Sequence, residues 1–365
     1  MSSNQKYLVV TCDGGGIRGL ISALLLQNLG SSLLDNVNMF AGTSTGSLIA
    51  LGLGSQKLSI DDMVGIYESD CSQIFQSYVP TAAQTASLEK TRASLQSAAS
   101  SSELGDIWTE LLGILNELLF PPYSADALKS LLEQKLGTTT IGQVTGKHIL
   151  AATFWLNASP NWQAVAMHNL PNLSEFGDFS QATLVDAALA SAAAPTYFPP
   201  HQLSGSSNLF ADGGVFANNP ASLALAALQG SGVIGGANGV PLSNVYMLSV
   251  STGSNQSSFP PNGPAFPYDG APYGILGWLW PKQTSSTPNF PLLNALFDGS
   301  SQINSFQAAM TLGKNNYMRA DPGLGRQIIS LDDCGVVGSL KTIAGNYMKT
   351  QEWQNIVSWA NANFS

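Results

Sequence analysis

A serine between two glycines is the residue of this chain best suited to nucleophilic chemistry. Ser44 lies at the centre of Gly42-Thr43-Ser44-Thr45-Gly46, with apolar runs over 37–41 and 47–53. In a Gly-x-Ser-x-Gly turn between a strand and a helix, small neighbours allow a sharp backbone reversal that exposes the serine hydroxyl. The flanking runs predict that strand and that helix, so the motif predicts a nucleophile. The alternative is a glycine-rich connection without chemistry.

A second strand-turn-helix unit lies near the N-terminus. An apolar run over 7–12 leads into Asp13-Gly14-Gly15-Gly16-Ile17-Arg18-Gly19 and then into an apolar helix predicted over 20–29. The glycines satisfy Gly-x-Gly-x-x-Gly, so one interpretation is a dinucleotide or phosphate site. That interpretation is weaker, because no Gly-Lys-Ser/Thr follows and no acidic residue ends a strand where a ribose site needs one. The same amides would stabilise an oxyanion if the loop lies beside Ser44.

A third glycine turn carries an acidic residue, Asp212, followed by Gly213 and Gly214. A serine hydroxyl needs a proton acceptor before it attacks a carbonyl group, and the usual acceptor is histidine. The chain has only three histidines, and none lies in a glycine or small-residue turn: His148, His168 and His201. We therefore expect structural or surface roles for the histidines, and Asp212 is a candidate base.

Four separated blocks resemble the patatin-like phospholipase family and occur in the order typical of that family. They are residues 13–19, residues 42–46, Ser191-Ala-Ala-Ala-Pro-Thr-Tyr-Phe198 and residues 212–214. The resemblance fades over 55–146 and after 253, and we expect these segments to set substrate choice.

The resemblance implies a role for each matching residue. Ser44 would be the nucleophile and Asp212 the base of a Ser-Asp dyad without histidine. The amides of Gly14, Gly15 and Gly16 would form the oxyanion hole. The supporting residues would be Arg18, which matches the basic residue of the first block, and the turn glycines Gly42, Gly46, Gly213 and Gly214.

Composition and the order of apolar segments indicate an α/β protein. The 365 residues are 44% hydrophobic and only 10% charged, which is enough to build a large core. Strands are predicted at 7–12, 37–41, 149–154 and 245–250, alternating with helices. This pattern predicts a three-layer α/β fold, with a mainly parallel central sheet covered by helices, in one patatin-like catalytic domain over 1–365.

Charge and motif content restrict the partners. The net charge is −9 without a lysine or arginine cluster, which disfavours nucleic acid and electrostatic docking onto anionic lipid. Any membrane contact is therefore expected to be hydrophobic and transient. The resemblance implies a phospholipid or other acyl-lipid substrate and no cofactor. We expect no metal ion, because the adjacent Asp332 and Asp333 lack a second acidic pair.

Cysteine usage and the N-terminal residues suggest a compartment. Cys12, Cys71 and Cys334 are odd in number and far apart, which predicts neither a disulfide nor a zinc site and fits a reducing environment. The first residues lack the features of a signal peptide, and no window is apolar enough to span a membrane. The expected location is the cytoplasm, with peripheral membrane contact allowed.

Two segments are candidate lids or insertions, at 77–120 and 257–291. Within the first, 77–102 contains few large apolar residues and is expected to be a mobile connection, whereas 104–120 carries a wide apolar helical face. The second is rich in proline, glycine and aromatic residues, and its Trp278 and Trp280 favour the membrane-water boundary. Packing onto the core is the alternative for both segments.

The predicted activity is hydrolysis of fatty-acyl esters of phospholipids or related lipids through an acyl-Ser44 intermediate, as in a phospholipase A or esterase. Three alternatives remain open. The acyl group could pass to an alcohol other than water, the site could belong to an effector or storage protein gated by a partner or small ligand, or the glycine loop could bind a nucleotide.

Overall fold

One mixed sheet organises the chain. The computed structural model describes residues 5–99, 112, 115, 119–235, 237–254, 275–279, 288–325 and 329–364. In these residues eight strands form the sheet: β1 Tyr7–Cys12, β2 Met39–Thr43, β3 His148–Trp155, β4 Gln163–His168, β5 His201–Gln202, β6 Leu209–Asp212, β7 Val245–Val250 and β8 Tyr317–Ala320.

The sheet is mainly parallel. Its order is β5-β6-β3-β2-β1-β7-β8, with β4 also paired to β3. Strands β8, β7, β1, β2 and β3 form consecutive parallel pairs. Strands β4 and β6 run antiparallel to β3, and β5 runs antiparallel to β6. The predicted mainly parallel sheet is confirmed, with an antiparallel extension on the β3 side.

Helices cover the sheet. In the described chain they are α1 Gly19–Leu29, α2 Ser31–Asp35, α3 Thr45–Gly54, α4 Ile60–Ser69, α5 Cys71–Ile74, α6 Ala82–Ala99, α7 Asp126–Leu136, α8 Leu184–Ala192, α9 Gly214–Ala217, α10 Ala221–Gly230, α11 Ile275–Leu279, α12 Pro291–Leu312, α13 Val337–Tyr347 and α14 Gln351–Phe364. None of these helices has the length and apolar character needed to cross a bilayer.

Both faces of the sheet are buried. Along β1, Leu8 and Val10 pack in one core with α1, α3 and α8, whereas Tyr7 and Val9 pack in a second core with α10. Every residue of β1 and β2 is buried. Continuous apolar runs of this kind are typical of parallel strands covered on both sides, because alternate side chains then both need apolar partners. The three-layer prediction is confirmed.

The segment predicted to be a mobile connection contains a helix instead. Helix α6 occupies 82–99 and is largely exposed, with Leu88 as a buried contact. Alanine, leucine, glutamine, glutamate and lysine favour helix even without a large apolar face, and sequence reasoning underweighted that propensity. Most of 104–120 and 257–291 lies outside the described residues, so the lid assignments stay predictions, as does the role of Trp280.

The prediction that the cysteines are unpaired is wrong. Cys71, at the start of α5, forms a disulfide with Cys334, and their Cα atoms are 5.8 Å apart. Cys12 is a buried free thiol at the end of β1. Spacing along the chain misled the prediction because the two partners are separated by 263 positions and meet only through the fold. The inference of a reducing compartment, which depended on unpaired cysteines, no longer follows.

Replacing Cys71 and Cys334 together by serine should destabilise the protein by about 2–4 kcal/mol, because the cross-link restricts the unfolded chain. Urea unfolding with and without a thiol reductant measures this difference. Reductant should lower the midpoint of the wild-type protein and leave that of the double variant unchanged. Equal midpoints for the oxidised wild-type protein and the double variant would contradict the prediction.

Candidate functional site

Two strands end against each other along one edge of β3. Strand β2 is parallel to β3, and its last residue, Thr43, pairs with Ala152. Strand β6 is antiparallel to β3, and its last residue, Asp212, pairs with Thr153. Because β4 occupies the other edge of β3, the carboxyl ends of β2 and β6 meet on the same edge. Ser44, which follows Thr43, therefore lies beside Asp212 in one cleft.

The serine turn has an unusual backbone conformation. Ser44 has φ 54° and ψ −125°, and α3 begins at the next residue. Positive φ is uncommon for a residue with a side chain, so the turn is strained and must be held by its surroundings. A Cβ on Gly42 would clash with the carbonyl of Gly46, and a Cβ on Gly46 would clash with the carbonyl of Cys12. Close backbone packing therefore requires both glycines.

A buried serine holds this turn in place. The Ser44 amide donates a 2.9 Å hydrogen bond to Ser191 Oγ, whose hydroxyl donates to the carbonyl of Ala152 at 2.6 Å. Ser191 thus connects the turn to the β3 edge. Sequence reasoning assigned no role to Ser191 and did not predict this hydrogen bond. A small buried residue in an alanine-rich helix carries no local signal of such a contact.

Asp212 is fully buried, and its two carboxyl oxygens differ. Oδ1 accepts a 2.7 Å hydrogen bond from the Gly214 amide. Oδ2 accepts no hydrogen bond of standard geometry from the described residues. Burial raises the pKa of Asp212 to about 7, although its contacts with the Ser44 hydroxyl and the Gly214 amide partly oppose the rise. A carboxylate with a pKa near neutrality is suited to accept a proton.

The first glycine block forms one side of the cleft. Gly15 and Gly16 line it together with Ser44, and a Cβ on Gly14 would lie 3.2 Å from the Ser44 Cβ atom. The Gly14 amide is occupied, because it donates to the carbonyl of Asn218 at 2.9 Å. Within the described chain the Gly15 and Gly16 amides have no acceptor. Of the three glycine amides expected to form an oxyanion hole, two therefore have no hydrogen-bond acceptor in the described chain.

Contacts from distant segments anchor this loop. Arg319 of β8 binds the Asp13 carboxylate through two hydrogen bonds, of 2.7 and 3.2 Å. The Thr252 hydroxyl donates to the carbonyl of Gly14 at 2.8 Å, and the Ile17 amide donates to the carbonyl of Leu331 at 2.8 Å. Sequence reasoning did not identify Arg319, because its partner lies 306 positions away in the chain.

Arg18 does not line the cleft. Its buried side chain donates from Nε to the carbonyl of Gly15 at 3.4 Å, and it borders a separate polar cavity with Asp298 and Asp321. Burial lowers the pKa of Arg18, although the neighbouring carboxylates oppose this effect. The contact that Arg18 makes with the glycine loop is therefore to the backbone.

The remaining walls of the cleft are mainly apolar, which suits an apolar chain bound beside a few polar groups. The lining side chains are Ile17, Leu48, Tyr67, Ile74, Phe75, Leu128, Ala192, Ala194, Tyr197, Phe198, Phe297 and Leu331. Tyr197 and Phe198 end the block 191–198 that carries part of the family resemblance, and both line the cleft.

The histidines lie elsewhere. None lines the cleft, and each has a hydrogen-bond partner outside it: Tyr7 for His148, the Leu170 amide for His168 and Asp186 for His201. The Asp332 carboxylate accepts a hydrogen bond from Tyr123, and Asp333 accepts one from the Gly335 amide. Within the described residues no group of side chains is arranged to hold a metal ion.

Comparison with known proteins gives a consistent result. A family model described as patatin-like phospholipase matches residues 10–225. Patatin-like protein 2 from Arabidopsis thaliana is 28% identical over 346 residues, covering 85% of this chain and 74% of that protein. A cGAMP-activated phospholipase from Escherichia coli (strain TW11681) is 27% identical over 232 residues, covering 60% of this chain and 55% of that protein. The chain thus matches about half the length of this bacterial relative.

Among solved structures, VipD from Legionella pneumophila matches with a TM-score of 0.43 and 12% identity, covering 98% of this chain and 67% of that one. This score is too low to support a conclusion. The family model is decisive because it covers more than half of the chain, from the glycine loop through the Ser44 and Asp212 turns. This protein therefore belongs to the patatin-like phospholipase family.

Proposed function

We propose that this protein is a serine lipid acyl hydrolase of the phospholipase A type, with Ser44 as nucleophile and Asp212 as base. One observation carries the proposal: a buried carboxylate with a pKa of about 7 contacts the Ser44 hydroxyl beside an apolar cleft. Family membership supports an acyl-lipid as the substrate.

Acylation begins when Asp212 takes the hydroxyl proton and Ser44 Oγ bonds to the ester carbonyl carbon. The carbonyl oxygen becomes negative, and the amides of Gly15 and Gly16 donate hydrogen bonds to it. Each such donor is typically worth about 100-fold to 1000-fold in rate. The intermediate then collapses, the bond to the alcohol breaks, and the departing alkoxide takes the proton from Asp212. The acyl chain remains on Ser44, within the apolar cleft.

Deacylation repeats the sequence with water as the nucleophile. Asp212 takes a proton from water while the water oxygen bonds to the acyl carbon of acyl-Ser44. The same two amides stabilise the second oxyanion. Collapse releases the fatty acid and returns the proton to Ser44 Oγ. The Asp212 carboxylate ends each turnover ionised, so one group acts as base and as acid in both steps.

A ligand-gated form of the same hydrolase is the second candidate, because one relative is named a cGAMP-activated phospholipase. The same purified protein should then hydrolyse lipid only after a cyclic dinucleotide is added. Acyl transfer to another alcohol uses the same acyl-Ser44 intermediate, and no observation favours transfer over hydrolysis.

Ser44→Ala should abolish both lipid hydrolysis and covalent labelling by a fluorophosphonate, since both require the Ser44 hydroxyl. The test incubates wild-type and variant proteins with a mixed phospholipid and neutral-lipid panel and identifies products by mass spectrometry. Fatty acid should appear only with the wild-type protein. Persistent labelling of another serine in the variant would reject Ser44 as the nucleophile.

Asp212→Asn should reduce kcat by about 100-fold to 10,000-fold, as expected for the loss of a general base. In the wild-type protein, activity should rise as the pH increases through about 7, because Asp212 must be ionised to accept the proton. A pH-rate profile with a soluble ester checks both statements. Full activity of the variant would overturn the assignment.

Although Asp212→Asn should lower activity, it should raise the stability of the folded protein. The folded protein keeps Asp212 protonated up to about pH 7, whereas an unfolded carboxyl group ionises near its ordinary pKa of 3.8. The favourable contribution of this carboxyl group is therefore complete below the unfolded pKa and is lost as the pH rises through the folded pKa. The substituted amide cannot ionise, so Asp212→Asn should raise the melting temperature at about pH 8 more than at about pH 5.

Ser191→Ala should lower kcat roughly 10-fold to 100-fold with little change in KM, because the Ser44 turn loses the hydrogen bond that positions its amide. Ser231→Ala is the matched control, since its buried hydroxyl bonds to a carbonyl at the end of α10. Both variants should lose some stability, but only Ser191→Ala should lose turnover. Equal kcat values for the two variants would make the role of Ser191 purely structural.

A further inference from the structure

Helix α12 exposes a row of large apolar side chains, interrupted at Gly299, which we name the α12 stripe: Leu292, Leu296, Ile303, Phe306 and Met310. These side chains are 40–61% exposed. Their spacings of four, seven, three and four positions place them on one side of an α-helix. Single exposed apolar residues are common on protein surfaces, whereas groups of them on one face are typical of interaction sites.

The opposite side of the same helix contributes to the cleft. Leu293 and Phe297 pack with Tyr197 and Phe198, and Phe297 lines the cleft that contains Ser44. The stripe therefore lies on the outer side of a helix whose inner side forms the wall of the cleft. Leu279 of α11, which packs against α12, adds a further exposed apolar side chain, 45% accessible to solvent.

The electrostatics of the helix exclude attraction to charged partners. Across its 22 residues α12 contains one charged side chain, Asp298, and no lysine or arginine. Asp298 lies in the polar cavity beside Arg18, and Phe306 of the stripe also borders that cavity. The net charge of the chain, −9, also opposes binding to an anionic surface. The stripe therefore fits an apolar or zwitterionic partner.

The area of the stripe argues against a second copy of this chain. A stable protein dimer buries about 800 Å² and about 20–30 residues on each partner. Five side chains on one helix are far fewer than that. A helix that lies on a bilayer needs only one apolar face, because that face inserts about 5–10 Å into the headgroup and acyl boundary.

We propose that the α12 stripe docks the protein onto the surface of a zwitterionic lipid bilayer, with the axis of α12 in the plane of the membrane. This inference rests on the proposed lipid hydrolase function for its physiological purpose. Docking brings α12, whose inner side forms a wall of the cleft, to the headgroup and acyl boundary of the bilayer.

The test is flotation of the full-length protein with phosphatidylcholine vesicles, in a Ser44→Ala background that prevents lipid hydrolysis. The double variant Phe306→Ser with Met310→Ser should partition into vesicles at least about tenfold less, because two large apolar side chains are no longer available to insert. Phe306→Leu with Met310→Leu should restore binding. Binding of the unsubstituted stripe should change little between low and high salt, since no cation takes part.

The matched control is Gln307→Ser with Thr311→Ser, which makes the same number of substitutions at exposed polar positions of α12. It should bind vesicles as the parent protein does. With Ser44 intact, both double variants should hydrolyse a soluble short-chain ester at the wild-type rate, so that a folding defect is detected separately.

Vesicle binding that is equal for the stripe and control variants would overturn the proposal. So would failure of the parent protein to bind vesicles, or a stable dimer in light scattering that the stripe variant converts to monomer. Vesicle binding without any ester or lipid hydrolysis by the protein with Ser44 intact would reject the proposed function and leave the docking surface standing. Hydrolysis without vesicle binding would reject the docking surface and leave the proposed function standing.

Discussion

The meeting of β2 and β6 on one edge of β3 is the constraint on which the site depends. Hydrogen-bond register places Thr43 opposite Ala152 and Asp212 opposite Thr153, so Ser44 and Asp212 are brought together by consecutive residues of one strand. Ala152 takes part three times, because its carbonyl also accepts the Ser191 hydroxyl and its backbone leaves no room for a Cβ at residue 213. A sheet edge holds such positions more rigidly than a loop does.

The site combines features that are individually unfavourable for folding. Ser44 has a strained backbone, Asp212 is buried without an ion pair in the described chain, and two glycine-loop amides lack acceptors. Each feature persists because its neighbours are firmly held, by Ser191, by the Gly214 amide and by the Asp13–Arg319 pair. Such arrangements are typical of functional sites, because unsatisfied groups are available to bind a substrate or a transition state.

Prediction from the sequence succeeded where the signal is local. Four of the five parallel strands, the helices after the first glycine loop and after the Ser44 turn, and the three-layer arrangement follow from runs of apolar residues and from turn composition, whereas β8 was not predicted. It failed where two partners meet only in the folded chain, as in the Cys71–Cys334 disulfide and the Asp13–Arg319 pair. It also failed for helix α6, because a segment without a large apolar face was mistaken for a connection.

The sequence by itself determined the family, the fold class and the three glycine turns, because the residues that allow sharp reversals and close backbone contacts are chemically distinctive. Only the tertiary structure decided which groups are free to act. In the folded chain the Gly14 amide donates to the Asn218 carbonyl, and the Arg18 side chain points to a polar cavity rather than to the cleft. Asp212 is buried deeply enough that its pKa rises to about 7. Burial and hydrogen-bond partners depend on residues hundreds of positions apart, and that information is absent from any single stretch of the chain.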